Sequence, residues 1–220
     1  MKLTTAIFDM DGLMIDSEPL WYEATMESLA TFGIYMDEHL YYESTGLRIR
    51  ECLQHWFNVY GIDGAHLLST ETDIIKRVIQ KVNEKGVIMD GVENTIGLCK
   101  NAGLKIGLAS SSPLSLINAV LDKTGLGIHF KSLASAEHLP YGKPNPQVFI
   151  DCATALDAHP LECMCFEDSF NGLIAAKAAR MQCVVVPLPA VHLQSRWDIA
   201  DLKLKSLADF NSDHLNALMK

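Results

Sequence analysis

From Val92 onward, apolar segments of two kinds take turns along the chain. A helical pattern over 92–102 gives way to the strand-like LKIGLA at 104–109. Pro113 opens a stretch with Ile117, Val120 and Leu121 on one face, and a short strand follows near 132–134. Pro146 opens another helical stretch, with Phe149, Cys152, Ala153 and Leu156 on one side. CMCF at 163–166 reads as a strand, 172–180 as a helix, and CVVV at 183–186 as a strand. Strands separated by helices cannot pair as hairpins. They line up in parallel, with the helices covering both faces of the sheet. The chain is therefore expected to be α/β, with a Rossmann-like parallel sheet.

The N-terminal part departs from this rhythm. Residues 4–8 read as a short buried strand. After it, Tyr22, Met26, Leu29 and Ala30 recur at helical spacing until Gly33. Ile49, Cys52, Leu53, Trp56, Phe57 and Tyr60 mark a second helix ending at Gly61, and Ile75, Val78, Ile79 and Val82 a third ending near Gly86. No strand is read between about 16 and 86. The expected organisation is an α/β core of 1–15 and 87–220, interrupted after its first strand by a helical cap of 16–86. The two joints are candidate hinges.

With 220 residues, 49% of them hydrophobic, the chain can bury a sizeable core. A net charge of −9 leaves no basic surface for nucleic acid, but a small anionic substrate in a locally cationic site stays open. Cys52, Cys99, Cys152, Cys163, Cys165 and Cys183 lie in apolar segments without zinc-type pairing. They read as buried, reduced thiols. No apolar stretch approaches the length of a membrane span, about 18 residues. A cytoplasmic, monomeric protein without a membrane or nucleic-acid partner is expected.

In open α/β sheets, ligands bind beyond the C-terminal ends of the strands. The first strand is followed by Asp9 and Asp11, the second by Ser110, Ser111 and Ser112. The third is followed by Lys143 in YGKPNP, and CMCF by Glu167 and Asp168. Taken singly, the serines and Glu167-Asp168-Ser169 could cap helices, and Lys143 could be a solvated loop residue. Two like charges at a buried strand end are harder to explain structurally. Together the set suits phosphoryl transfer. Clustered carboxylates call for a hard cation such as Mg²⁺, and lysine and serine suit phosphate oxygens. One carboxylate can act as nucleophile, and a second, two residues on and pointing the same way, as general acid and base. Gly12 lets the chain turn away.

FDMDG (8–12), LASSS (108–112), the lysine of YGKPNP and FEDS (166–169) resemble, in order and spacing, the haloacid dehalogenase-type superfamily of phosphotransferases. The resemblance covers nearly the whole chain, including a helical cap. It implies Asp9 as nucleophile and Asp11 as acid and base. Ser110 and Lys143 would hold the phosphoryl group, helped by main-chain N–H groups near Met10 and Ser111. It further implies Mg²⁺ held by the Asp9 and Asp168 side chains and the Asp11 carbonyl, with Glu167 as an outer or alternate ligand.

The second aspartate separates the chain from the superfamily's dehalogenases. In cap type it is similar to the β-phosphoglucomutase branch, but Trp21 stands where that branch carries a cap histidine. DSEPLW (16–21), GLRI (46–49) and VVVPLP look most like bacterial hexitol and 2-deoxyglucose-6-phosphate phosphatases. The expected activity is Mg²⁺-dependent hydrolysis of hexose 6-phosphates, their 2-deoxy forms or hexitol phosphates. The alternatives are a phosphosugar mutase and a non-enzymatic binding protein on the same fold. Arg48 is a candidate substrate contact or a surface arginine. Glu18 and Trp21 are candidates for holding a sugar, with cap packing as the other role for Trp21.

Overall fold

A computed structural model of the chain describes residues 2–42 and 46–220, with Tyr42 described by its backbone alone. Strand β1 (Thr5–Phe8) is followed by four helices, α1 (Glu18–Leu29), α2 (Glu38–Tyr42), α3 (Ile49–Tyr60) and α4 (Leu67–Lys85). Helix and strand then alternate through α5 (Val92–Asn101), β2 (Lys105–Ser110), α6 (Leu114–Thr124), β3 (Ser132–Ser135) and α7 (Gln147–Ala155). The chain continues through β4 (Cys163–Glu167), α8 (Phe170–Ala178), β5 (Gln182–Val185), β6 (Leu202–Lys203) and α9 (Ser212–Leu218).

All six strands are parallel, in the order β3-β2-β1-β4-β5-β6. β1 lies near the middle, and the strand order reverses around it, which is where such sheets open a crevice. Phe8 pairs with Leu108 of β2 and with Phe166 of β4. The residues that follow these positions therefore emerge side by side at one edge.

The period of two in each strand sorts the core into two layers. Ala6, Phe8, Met164 and Phe166 face α5 and α6, with Ile96, Ile117 and Val120 among their neighbours. Ile7, Cys163 and Cys165 face α7 and α8, against Phe149, Cys152 and Leu173. Burial on both faces is why CMCF reads as a continuous apolar run. All six cysteines are free and buried, as the sequence suggested. Gly33 and Gly61 close their helices in the left-handed conformation, with φ of 73° and 68°.

Helix α4 begins at Leu67, about two turns before the apolar periodicity that marks it. Its first fully buried position is Thr70, whose hydroxyl donates to the His66 carbonyl, so a hydroxyl hides the apolar spacing. α2, β6 and α9 are too short to show a pattern in sequence. Helices α1 and α4 pack together and are laced by Lys81 and Lys85 to Glu23, and by Lys81 and Arg77 to Glu27. Among the described residues, no helix is long and apolar enough to cross a membrane.

Candidate active site

The chain leaves β1 at Asp9, whose N–H donates to the Phe166 carbonyl as if the strand continued. It then turns. Gly12 takes a φ of 71°, and a Cβ there would overlap the Asp168 carboxylate. A glycine is required both by the backbone angle and by that close approach.

Lys143 arrives from the loop between β3 and α7 and is 1% exposed. Its ammonium donates to Asp9 Oδ1 at 2.5 Å, Glu167 Oε1 at 2.5 Å and the Ala109 carbonyl at 3.1 Å, and it lies 4.7 Å from the Phe149 ring centre. Burial works against its charge, but Asp9 and Glu167 outweigh that and hold it above the ordinary lysine range. Glu167 has both oxygens engaged, since Oε2 accepts from the N–H groups of Asp168 and Ser169 and from the Ser169 hydroxyl.

The Asp11 carboxylate accepts three hydrogen bonds. Ser17 Oγ and Trp21 Nε1 donate to Oδ1 at 2.7 and 2.9 Å, and Ser112 Oγ donates to Oδ2 at 2.6 Å. Ser110 is buried, and its hydroxyl accepts from the Ser112 N–H. The Ser111 hydroxyl reaches the Gly46 carbonyl at 2.8 Å. Met10 buries its side chain completely, so only its main chain can serve a ligand.

Asp9, Asp11, Ser110, Lys143 and Asp168 line one side of a cavity whose other side is made by Glu18, Trp21, Tyr41, Leu47, Ile49 and Cys52. Lys143 is the one cation among its described lining residues. The excess of carboxylates shows in their protonation. Asp9 is pushed up to about 8, first by burial and then by Glu167 and Asp11, with Lys143 opposing. Glu18 is also pushed up to about 8, by burial and by the charges of Asp11, Asp9 and Asp16. Asp168 is raised well above the usual carboxylate range by burial, Glu167, Asp9 and Glu18.

Asp9, Glu167 and Asp168 each offer a carboxylate oxygen, all within 4.8 Å of one another. Asp168 Oδ2 is buried without a hydrogen-bond partner, an arrangement that fits a hard divalent cation.

Arg48 goes elsewhere. Its guanidinium donates to the carbonyls of Ala136, Leu139 and Pro140 and pairs with Glu51 at 2.6 Å. It clasps α3 to the loop leading into Lys143 and does not line the cavity. The bonds of Ser17 and Trp21 to Asp11 are absent from the sequence reading. The only available hint was DSEPLW, which puts both residues one turn apart at a helix start. The walls formed by Tyr41 and Cys52 carry no sequence signal.

A parallel sheet here delivers a lysine-bridged acidic pocket at its C-terminal edge, which can hold a hard cation and, beside it, an anionic group. The chain belongs to the haloacid dehalogenase-like hydrolases, whose family model matches residues 3–180. It is 43% identical over 215 residues to hexitol phosphatase B of Escherichia coli (strain K12), covering 97% of each chain. It is 30% identical over 185 residues to the fructose-1-phosphate phosphatase of the same organism, covering 83% of this chain and 95% of that one. In structure it resembles a β-phosphoglucomutase from Clostridium difficile, with a TM-score of 0.87 at 23% identity, over 99% of this chain and 97% of that one. That last likeness bears on the fold alone. The protein is an enzyme of the phosphoric monoester hydrolase class.

Proposed function

We propose that the protein is a Mg²⁺-dependent phosphatase of small sugar monophosphates: hexose 6-phosphates, 2-deoxyhexose 6-phosphates or hexitol phosphates. Asp9 attacks phosphorus, forming an aspartyl-phosphate as the ester P–O bond breaks, and Asp11 gives its proton to the departing sugar oxygen. Water then attacks the same phosphorus. Asp11 takes back a proton, the Asp9–phosphorus bond breaks, and phosphate leaves. Lys143 and Ser110, with main-chain N–H groups near Met10 and Ser111, hold the phosphoryl oxygens. Asp9, Asp168 and the Asp11 carbonyl, with Glu167 behind them, would hold Mg²⁺, whose charge offsets that of the phosphoryl oxygens when it is bound.

The observation that carries this reading is the single cation among the described residues that line the cavity. Lys143 sits at the Asp9 end, and the guanidinium of Arg48 is committed to a loop. The rest of the lining offers Trp21, Tyr41, Leu47 and Ile49 as walls and Glu18 as a hydrogen-bonding carboxyl beside Asp11. That suits the carbon chain and hydroxyls of a monophosphate better than the second phosphate of a bisphosphate. A core of 1–15 and 87–220 with a cap of 16–86 belongs to the same reading, supported by the cavity's two-sided lining. So does a reducing, cytoplasmic setting, supported by six buried free thiols.

The test is phosphate release from these esters with Mg²⁺, run beside conversion of β-glucose 1-phosphate to the 6-phosphate with a bisphosphate primer. Release should dominate. Isomerisation that outruns release would make the protein a mutase.

A further inference from the structure

Asp11 reaches its partners through groups of unequal chemistry. A serine hydroxyl can donate or, by rotating, accept, whereas an indole N–H only donates. Ser17 and Ser112 can therefore adapt to either protonation state of Asp11, and Trp21 cannot. A proton on Oδ1 would face the indole N–H head on. Trp21 is also well fixed. It lies in the first turn of α1, its own N–H donates to the Ser17 carbonyl at 2.9 Å, and the residue is 8% exposed within the main hydrophobic cluster.

We infer that Trp21 is a positioning residue for Asp11: its indole N–H keeps Oδ1 an acceptor, so that the proton Asp11 delivers and recovers is carried on Oδ2. Ser112, donating to Oδ2 at 2.6 Å, occupies one lone pair of that oxygen and leaves the other for the proton. In the first step the Oδ2 proton passes to the ester oxygen as the Asp9–phosphorus bond forms and the ester bond breaks, leaving an alcohol and a carboxylate. In the second step a water proton returns to Oδ2 as the water oxygen bonds phosphorus and the Asp9–phosphorus bond breaks. This role rests on the phosphatase reading above. It gives Trp21 a task toward the acid rather than toward the sugar.

The two roles separate by leaving group. A sugar alkoxide must be protonated to leave, whereas p-nitrophenolate leaves without a proton. The test compares kcat/KM for benzyl phosphate, whose alkoxide also needs a proton but offers Trp21 no sugar hydroxyl, and for p-nitrophenyl phosphate in the Mg²⁺-loaded full chain. The variants are Trp21→Phe and a chain carrying 3-benzothienylalanine at position 21, which keeps the ring shape and replaces N–H by sulfur, so packing is retained. Both should lose about tenfold more on the benzyl ester than on the nitrophenyl ester, the scale of one hydrogen bond to a charged group. Equal losses on the two esters, or no loss on either, overturn the inference. Failure of the unaltered protein to release phosphate from either ester would remove the phosphatase reading itself, and shows before any variant is made.

Discussion

Replacing Glu18 by Gln should stabilise the folded chain in the absence of divalent cations, and by an amount that grows with pH. Glu18 is buried beside Asp11, Asp9 and Asp16, and its carboxyl is raised from an ordinary 4.5 to about 8. For an acid raised in this way, the folded chain retains a proton that the unfolded chain releases. The contribution of Glu18 to stability therefore declines as pH rises from about 4.5 to about 8. Below that window both states are protonated and nothing is lost. At pH 7 the cost to the native protein is about 3 kcal/mol, and at pH 5 it is under about 1 kcal/mol. Urea unfolding of both proteins in chelator, at pH 5 and pH 7, measures the difference. Removing the Glu18 charge also relieves Asp168, which that charge helps to raise, and this adds to the gain in the same direction. A gain of about 3 kcal/mol at pH 7 that shrinks to under about 1 kcal/mol at pH 5 is expected. A pH-independent difference, or a variant less stable at pH 7, would refute the reasoning.

Lys143→Met should be destabilised by about 3–5 kcal/mol in chemical denaturation, because it strands the buried carboxylates of Asp9 and Glu167, and it should lose phosphate release. Asp168→Asn should bind Mg²⁺ at least about tenfold more weakly by calorimetry, yet unfold at a higher urea concentration than the native protein in chelator at pH 8. The reason is that burial and three neighbouring carboxylates disfavour the Asp168 charge. Chelation of the native enzyme should abolish turnover, and added Mg²⁺ should restore it.

What could be read in the sequence was what is local in the chain. FDMDG and FEDS show strand and site in one glance, because the residues that end β1 and β4 are also those that face the crevice. Lys143 was legible for the same reason, standing in a loop that follows a strand. Contacts made across the fold were not. Nothing near Arg48 announces that its guanidinium will meet carbonyls in the loop before Lys143. DSEPLW shows Trp21 as an aromatic on a helix, but the bond of its N–H to Asp11 depends on how the turn at Gly12 aims that carboxylate. The start of α4 was obscured by Thr70, whose buried face looks polar in a sequence.

In the proposed reaction Asp9 takes the phosphoryl group and Asp11 moves the proton. Asp11→Asn mixed rapidly with p-nitrophenyl phosphate and Mg²⁺ isolates the first half of the reaction, since that ester needs no acid while the water step still needs a base. One nitrophenolate per enzyme should appear in a burst, and acid quenching should leave a phosphoryl group on Asp9. The burst should vanish when Asp9→Asn is added to the same chain. No burst, or a phosphoryl group found on another residue, would contradict the account.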